Sequence, residues 1–505
     1  MYHVTNFAEA EPQRAAAIFP STGATIRFGE LDANANRAAN AMLSLGLRRG
    51  DCVGISITNR PEFLYAMLGA QRIGLYYVLL STKLSVDDLA YIIDDAQASA
   101  TIISDGCFAA GNVEGLSRLS GRLCLIDLPG AGHSDWSALT ALAPATLPPS
   151  PSRGREMLYS SGTTGRPKGV RKPLPDGDFA AKDPINLAVA ASSRMGPESV
   201  FLSPCPQYHA APHRFANAAL HAGATLVIPG HFEALATLQA IDTYGCTHSL
   251  WVPTMFHRLL QLPEAERLAV DLSTHRHAIH GAAPCPVHVK ERMIDWWGPI
   301  LDEYYSGSEG IGSTNITSQE WLAHKGSVGT PTGCKLHVLG ADGAEVAPGT
   351  IGDIYFESSN IFEYWKDADK TSKITNKAGW KTFGDIGYVD DEGYLYLTDR
   401  RHFTIISGGV NIYPQEIESV LLEHQAVNDV AVFGIADGEF GEIAVAVVQL
   451  VGEAPASRET EKTLRAYVKA RLGPVKTPKS IFFEKDFPRH ETGKIYKQGL
   501  IQKYS

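Results

Sequence analysis

Hydrophobic residues in this chain follow two rhythms. Cys52-Val53-Gly54-Ile55-Ser56-Ile57 is a short continuous run of the kind a buried strand makes. After Pro61, Phe63, Leu64, Met67 and Leu68 return at the spacing of one helix face as far as Arg72. Tyr77 to Leu80 then reads as a strand, Asp87 to Asp94 as a helix and Thr101 to Ser104 as a strand. A second series starts with the strand Val200 to Leu202. It predicts a helix over Phe215 to Ala222 closed by Gly223, a strand over Thr225 to Ile228 and a helix over Ala234 to Tyr244. Ser249 to Val252 follows as a strand, Thr254 to Leu262 as a helix and Ala278 to His280 as a strand. Such alternation predicts doubly wound α/β layers, here in two similar halves. Later the rhythm changes. Lys335 to Leu339 and Asp353 to Glu357 are strand-like runs among Gly-rich turns, which predicts a β-rich subdomain. A helix from Pro414 to Glu423, strands Asp429 to Phe433 and Ile443 to Leu450, and a helix Glu459 to Leu472 predict a compact α+β unit of about one hundred residues.

Polar punctuation is concentrated where chemistry is expected. Ala143 to Arg155, with prolines at 144, 148, 149 and 151, is a loop, and Lys172 to Asp183, rich in Pro and Asp, is expected to be mobile. Between them, after the strand-like Glu156-Met157-Leu158, stands Tyr159-Ser160-Ser161-Gly162-Thr163-Thr164-Gly165-Arg166-Pro167-Lys168-Gly169-Val170. Glycines allow close backbone approach, hydroxyls and amides donate hydrogen bonds, and Lys168 adds a point charge, which together make a polyphosphate cradle. A flexible surface linker is the plain alternative; it has no need of a stiff proline and one fixed cation at its exit. The stretch is not a Walker loop, since two residues separate Gly162 from Gly165 and Gly169 follows Lys168.

Ser-Ser-Gly-Thr-Thr-Gly-x-Pro-Lys-Gly resembles the phosphate loop of the adenylate-forming superfamily, to which acyl-CoA synthetases, peptide-synthetase adenylation domains and firefly luciferase belong. Further motifs follow in that family's order. Pro206-Gln207-Tyr208-His209-Ala210-Ala211-Pro212 resembles its segment between acyl and nucleotide pockets, which places His209 beside the substrate carboxylate or the CoA thiol. Gly281-Ala282-Ala283-Pro284 resembles the segment flanking adenine. Tyr304-Tyr305-Ser306-Gly307-Ser308-Glu309 resembles Tyr-Gly-x-Thr-Glu, with Ser306 and Ser308 as departures. The resemblance implies that Tyr305 stacks on adenine, Ser308 touches phosphate and Glu309 holds Mg²⁺, roles that suit a flat ring, a hydroxyl and a hard carboxylate. Gly326-Ser327-Val328-Gly329-Thr330-Pro331 matches a further signature of structural kind. Trp380-Lys381-Thr382-Phe383-Gly384-Asp385 resembles Trp-x-x-Thr-Gly-Asp, with Phe383 in place of Thr and Asp385 on the ribose hydroxyls.

The longest match, Leu397 to Glu418, implies a division into an N-terminal adenylation domain, 1–398, and a mobile C-terminal domain, 399–505. Arg400 then contacts ribose, and His402 is the hinge, where Lys or Asp is usual. Gly408 and Gly409 lie near the pantetheine passage. Pro488-Arg489-His490-Glu491-Thr492-Gly493-Lys494 resembles the loop whose lysine, Lys494, catalyses adenylation. ATP, Mg²⁺ and CoA are the implied cofactors and co-substrates, and the implied reaction is acid to acyl-AMP to thioester. A fatty acid is the expected substrate; aryl and steroid acids are alternatives. An amino acid is disfavoured because no Asp stands between Gln207 and Ala210 to pair its amine. The alternative of another class is a catalytically silent nucleotide-binding or interaction protein.

Composition narrows the rest. The 505 residues exceed one ordinary core, and 45 Lys and Arg against 55 Asp and Glu leave a net charge of -10 with no basic run for nucleic acid. Seven widely spaced cysteines without a Cys-x-x-Cys pair argue against a disulfide framework or zinc site and for a reducing cytoplasm. The start of the chain lacks the basic and apolar regions of a signal peptide, and the most apolar stretch, Tyr65 to Leu80, is too short to cross a bilayer. The partners expected are small molecules, with a homodimer allowed.

Overall fold

The structure is a computed structural model that describes residues 1–106, 115, 118–119, 121–128, 133–160, 167–452, 454–489 and 495–504; for Ser160 and His402 it describes the backbone alone. The chain divides into two compact bodies. One comprises Met1–Trp251, Arg258–His280 and Asn360–Ser372, the other Val252–His257, Gly281–Ser359 and Lys373–Ser505.

The first body carries two mostly parallel sheets joined by helices, the doubly wound pattern expected. One runs in the order Glu363–Tyr364, Lys168–Arg171, Arg155–Ser160, Tyr76–Leu79, Cys52–Ser56, Ala98–Ser104, Arg122–Ile126, Ser134–Asp135. The strands from Arg155–Ser160 to Ser134–Asp135 are parallel, and the two at the Lys168 edge are antiparallel. Cys52–Ser56 is buried at every position, as a strand covered on both faces must be. The other sheet runs His277–His280, His248–Trp251, Val200–Leu202, Thr225–Val227, Ala15–Phe19, with Ala24–Arg27 antiparallel on its edge. The helix Pro61–Arg72 has the expected bounds. The helix placed at Phe215 to Ala222 instead spans Ala210–His221. Pro212 falls within its first turn, where a missing N–H costs nothing, so proline does not delay the start. The strand read as Glu156 to Leu158 spans Arg155–Ser160. The tract Lys172 to Asp183 is irregular but tied down: Tyr76 Oη donates to Lys172 O, Arg155 to Pro173 O and Arg49 to Pro175 O.

The second body is β-rich. Lys335–Leu339, Gly352–Glu357, Asp385–Val389 and Leu395–Arg400 form an antiparallel sheet, while Leu301–Ser306, Ser313–Ile316 and Thr330–Pro331 form an antiparallel ladder. The Gly326 to Pro331 signature is structural, as read. Gly329 has φ +94°, and a Cβ there would lie 2.0 Å from Asn315 O, so glycine alone fits. Towards the C-terminus, Val427–Asp437 and Gly441–Leu450 form a long hairpin with Ser480–Phe483 alongside. Side chains alternate along the first of these strands: Val430 and Val432 join a cluster with Ile417, Leu421, Leu464 and Val468, whereas Ala431 and Phe433 face Phe487 and Leu500. The helices Pro414–Leu422 and Arg458–Leu472 therefore cover one face and Lys497–Tyr504 the other.

Candidate active site

The stretch expected to cradle phosphate is flanked by two antiparallel strands. Arg155–Ser160 rises from the sheet and Lys168–Arg171 returns antiparallel, with Ser160 facing Lys168 in the ladder. Ser161, Gly162, Thr163, Thr164 and Gly165, which fill the connection, lie outside the described residues. Lys168 Nζ is 3.1 Å from Asp367 Oδ2 and keeps 34% of its side chain exposed, so it is held yet open to an incoming anion. The hydrogen bond to Asp367 raises the Lys168 pKa. Asp367 is lowered by the backbone N–H of Lys370 and by Lys168. The sequence offered no sign of Asp367, since its strand neighbour Glu363–Tyr364 joins Lys168–Arg171 only on folding.

His209 occupies the N-cap of Ala210–His221, and its carbonyl accepts from His213 N at 3.1 Å. Asn59 fixes the turn before it. Its Oδ1 accepts from Gln207 N at 2.9 Å, and its Nδ2 donates to Cys205 O and Pro229 O. Asn59 is a buried polar residue in a strand-to-helix loop; it was missed because its partners are distant in sequence. The His209 and Tyr208 rings meet edge to face with centroids 4.8 Å apart.

In the second body, three expected ligand residues converge. Tyr305, on Leu301–Ser306, donates its hydroxyl to Asp385 Oδ2 at 2.5 Å, and Arg400 Nε lies 3.2 Å from Asp385 Oδ1. Asp385 and Arg400 stand opposite each other in the ladder of Asp385–Val389 with Leu395–Arg400. Burial and the neighbouring carboxylate hold the Tyr305 phenol protonated, well above its ordinary range. Each Asp385 oxygen retains lone pairs for a further donor. Phe383, the departure from the family's threonine, sets its ring edge-on to Tyr305 at 5.7 Å, with Phe356 against both. Gly307 lets this packing be close: a Cβ would lie 2.4 Å from the Phe383 ring and 2.8 Å from Glu309 Oε2, so either side chain would have to move. Ser308 and Glu309 follow in a turn closed by Gly310 N to Gly307 O, and Ser306 Oγ donates to Gly312 O.

The remaining predicted residues fall as follows. Gly281 is buried against Tyr304, and the exposed Ala282 adopts φ +68°, a left-handed conformation rare for alanine; Ala283 and Pro284 continue this loop. Gly408 and Gly409, both at positive φ, turn the hairpin between Ile405–Ser407 and Val410–Ile412. The His402 backbone lies in the single turn Arg401–Phe403. Lys494 lies outside the described residues; on either side of its loop, Arg489 pairs with Asp429, and Lys497 Nζ reaches Glu418 Oε1 at 2.6 Å. Ser160, Lys168 and His209 thus belong to the first body, and Glu309, Tyr305, Asp385 and Arg400 to the second.

Residues 4–365 match the family described as AMP-binding enzyme, and residues 416–494 match the AMP-binding enzyme C-terminal domain. The chain belongs to the AMP-binding enzyme family. This AMP-binding enzyme is similar to long-chain-fatty-acid–CoA ligase FadD13 of Mycobacterium tuberculosis, at 31% identity over 99% of this chain and 97% of the relative. It is also similar to 2-succinylbenzoate–CoA ligase of Bacillus subtilis, at 29% identity over 98% and 96%. Among solved structures, the amide bond synthetase McbA from Marinactinospora thermotolerans superposes with a TM-score of 0.82 at 25% identity, covering 98% of this chain and 97% of that one. Among the described residues of the AMP-binding enzyme, no helix is long and apolar enough to cross a membrane, and no group of three or more His, Cys, Asp or Glu is arranged to hold a metal. The Glu309 carboxylate is a hard oxygen ligand of the kind that would suit Mg²⁺.

Proposed function

We propose that the chain is an AMP-forming acyl-CoA ligase: a carboxylic acid attacks the α-phosphorus of ATP, pyrophosphate leaves, and the CoA thiol then displaces AMP. The observation that carries this reading is the convergence of Tyr305 and Arg400 on Asp385, which offers a ring for adenine beside a carboxylate and a guanidinium for ribose. Joining two anions is the chief obstacle in the first step, and electrostatic stabilisation with positioning overcomes it. Lys168 and the hydroxyl loop would take the β- and γ-phosphates, Lys494 the α-phosphate and carboxylate, and Ser308 a phosphate oxygen. Glu309 would hold Mg²⁺, whose role when bound is charge neutralisation. His209 would stand at the acid or thiol. Residues 399–505 would turn about His402 between the two half-reactions, since Lys494 and the thiol cannot occupy one face of the carbonyl together.

The substrate we favour is a fatty acid, supported by similarity to a long-chain ligase; similarity to an aryl-acid ligase keeps aryl acids as the second reading. The test supplies ATP, Mg²⁺ and fatty, aryl and steroid acids, and measures pyrophosphate and AMP with and without CoA. Multiple turnover only with CoA is expected. Acid-dependent pyrophosphate indifferent to CoA would replace the thiol by another acceptor, and no release with any acid, with ATP still bound, would favour the silent binder. Lys494→Ala should slow adenylation about a hundredfold, roughly 3 kcal/mol, while sparing thioester formation from preformed acyl-AMP. Equal loss in both half-reactions would remove that role.

A further inference from the structure

Apart from the residues assigned above, the first body holds a partly open cavity of about 60 Å³, room for roughly four waters at ~10–15 Å³ each. It reaches Arg155 and Glu156, at the start of the strand Arg155–Ser160. The stretch expected to cradle phosphate follows the other end, about 17 Å away at ~3.3 Å per residue. One wall is the helix Ala210–His221, from which His213, Asn217 and His221 project at successive i, i+4 positions. All three are buried, His213 to 1% exposure. Polar side chains in such a place need partners.

Some of the partners are within the protein. Gln71 Nε2 donates to Tyr77 Oη at 2.9 Å, and Tyr77 Oη and His213 Nε2 share a hydrogen bond of 3.1 Å. In the tautomer where Tyr77 donates to Nε2, His213 carries its proton on Nδ1, and that atom is buried with no hydrogen-bond partner among the described residues. Among the described residues, His221 Nδ1 and Tyr2 Oη, on the same lining, are also buried and unmatched, and the Tyr2 ring stacks on His221 at 6.0 Å. Four guanidinium groups, of Arg72, Arg153, Arg155 and Arg214, line the cavity against two carboxylates, Glu156 and Asp183. Arg153 pairs with Asp183 at 2.7 Å, Arg214 with Glu156 at 3.4 Å and Arg72 with Asp32 at 2.5 Å, so most of the positive charge is matched, and Arg155, which donates to Pro173 O, supplies the remainder beside the unmatched donors. A neutral apolar ligand satisfies none of these groups; an oxygen-rich anion does.

We propose that this cavity binds a carboxylate or similar small oxyanion, held by His213 Nδ1–H, Tyr2 Oη–H and the Arg153 guanidinium. Two sources share that chemistry. One is a free anion. The other is the far end of the acid substrate, because His209 lies one turn above His213 on the same helical stripe; this source rests on the placement of His209 beside the acid. An acid of that kind bears a second carboxylate or a keto group remote from the reacting one.

Isothermal titration of the full chain with acetate and with inorganic phosphate, without ATP, tests the site independently of the ligase reading. Binding at about 1 mM or tighter is expected, weakened at least tenfold in Tyr2→Phe, which removes a single oxygen, and in His213→Leu. His213→Asn, which keeps a donor near Nδ1, should recover most of the loss. Adenylation of octanoate is then compared with that of octanedioate. A preference for the diacid that falls at least tenfold in Tyr2→Phe, with acetate competing, assigns the site to the substrate's far end. Unchanged acid ranking with anion binding intact assigns it to a free anion. Absence of anion binding together with an acid ranking that no substitution moves would overturn the proposal and leave a water-filled pocket.

Discussion

At Asp385, one carboxylate organises two other side chains, so its removal should cost more than either contact. Asp385→Ala is expected to lower kcat/KM for ATP by about a hundredfold or more, near 3 kcal/mol. Tyr305→Phe, which keeps the ring and loses one hydrogen bond, should lower it about tenfold or less. Pyrophosphate-release kinetics at varied ATP measure both, and equal effects would contradict the separate role of the ring. The residues at this scale also show what a chain reading can see. Tyr305, Asp385 and Arg400 are legible because each stands in a motif of fixed local order. Asp367 and Asn59 are not, because what makes them matter is a partner brought near by folding: Lys168 for the first, the Gln207 amide for the second.

Among the elements, the strand Leu301–Ser306 has to hold Tyr305 and Gly307 in register, and it is anchored from below. Lys290, on the helix Val287–Trp297, is fully buried with Nζ 2.7 Å from Glu303 Oε2. Burial raises the Glu303 pKa and Lys290 opposes the rise. Lys290→Met should destabilise by about 3–5 kcal/mol by stranding a buried carboxylate, whereas Lys290→Met with Glu303→Leu should recover most of that. Urea unfolding of the two single variants and the double completes the cycle; additive losses would show that the pair is not coupled. Periodicity placed the interior of most elements correctly and their ends less well. The start of Ala210–His221 depends on proline being harmless in a first turn, and the length of Val427–Asp437 on a partner strand, Gly441–Leu450, that continues the ladder.

For the molecule as a whole, buried histidines set the acid limit of stability. Burial lowers His213 and His248 to about 4, His3 and His275 to about 3, and His221 well below its ordinary value of 6.5. These groups are neutral when folded, so below pH 6.5 the unfolded chain binds more protons, and stability is lost progressively as pH falls from 6.5 towards 3–4. Glu156 adds to this lower down: burial pushes its carboxyl up, but Arg214 and neighbouring cations outweigh that and hold it at about 2. Its contribution is therefore complete above 4.5 and is lost as pH falls towards 2. The urea midpoint should be level above pH 6.5 and drop steadily to pH 4.5, with a shallower slope in His248→Gln/His275→Gln. A midpoint unchanged between pH 7.5 and 5 would refute the account.

By itself the sequence determined the layered α/β class and the family, and it singled out candidate side chains through their near neighbours along the chain: the hydroxyl loop ending in Lys168, the Tyr305 to Glu309 turn, and Asp385 and Arg400. Local order and hydrophobic period are properties of the chain before it folds. Tertiary structure decided which of these residues share a partner, why Phe383 is accommodated beside Gly307, and that three polar residues of one helix line a cavity instead of a dry core. Those facts depend on distances between segments remote in sequence, and only the packed chain fixes such distances.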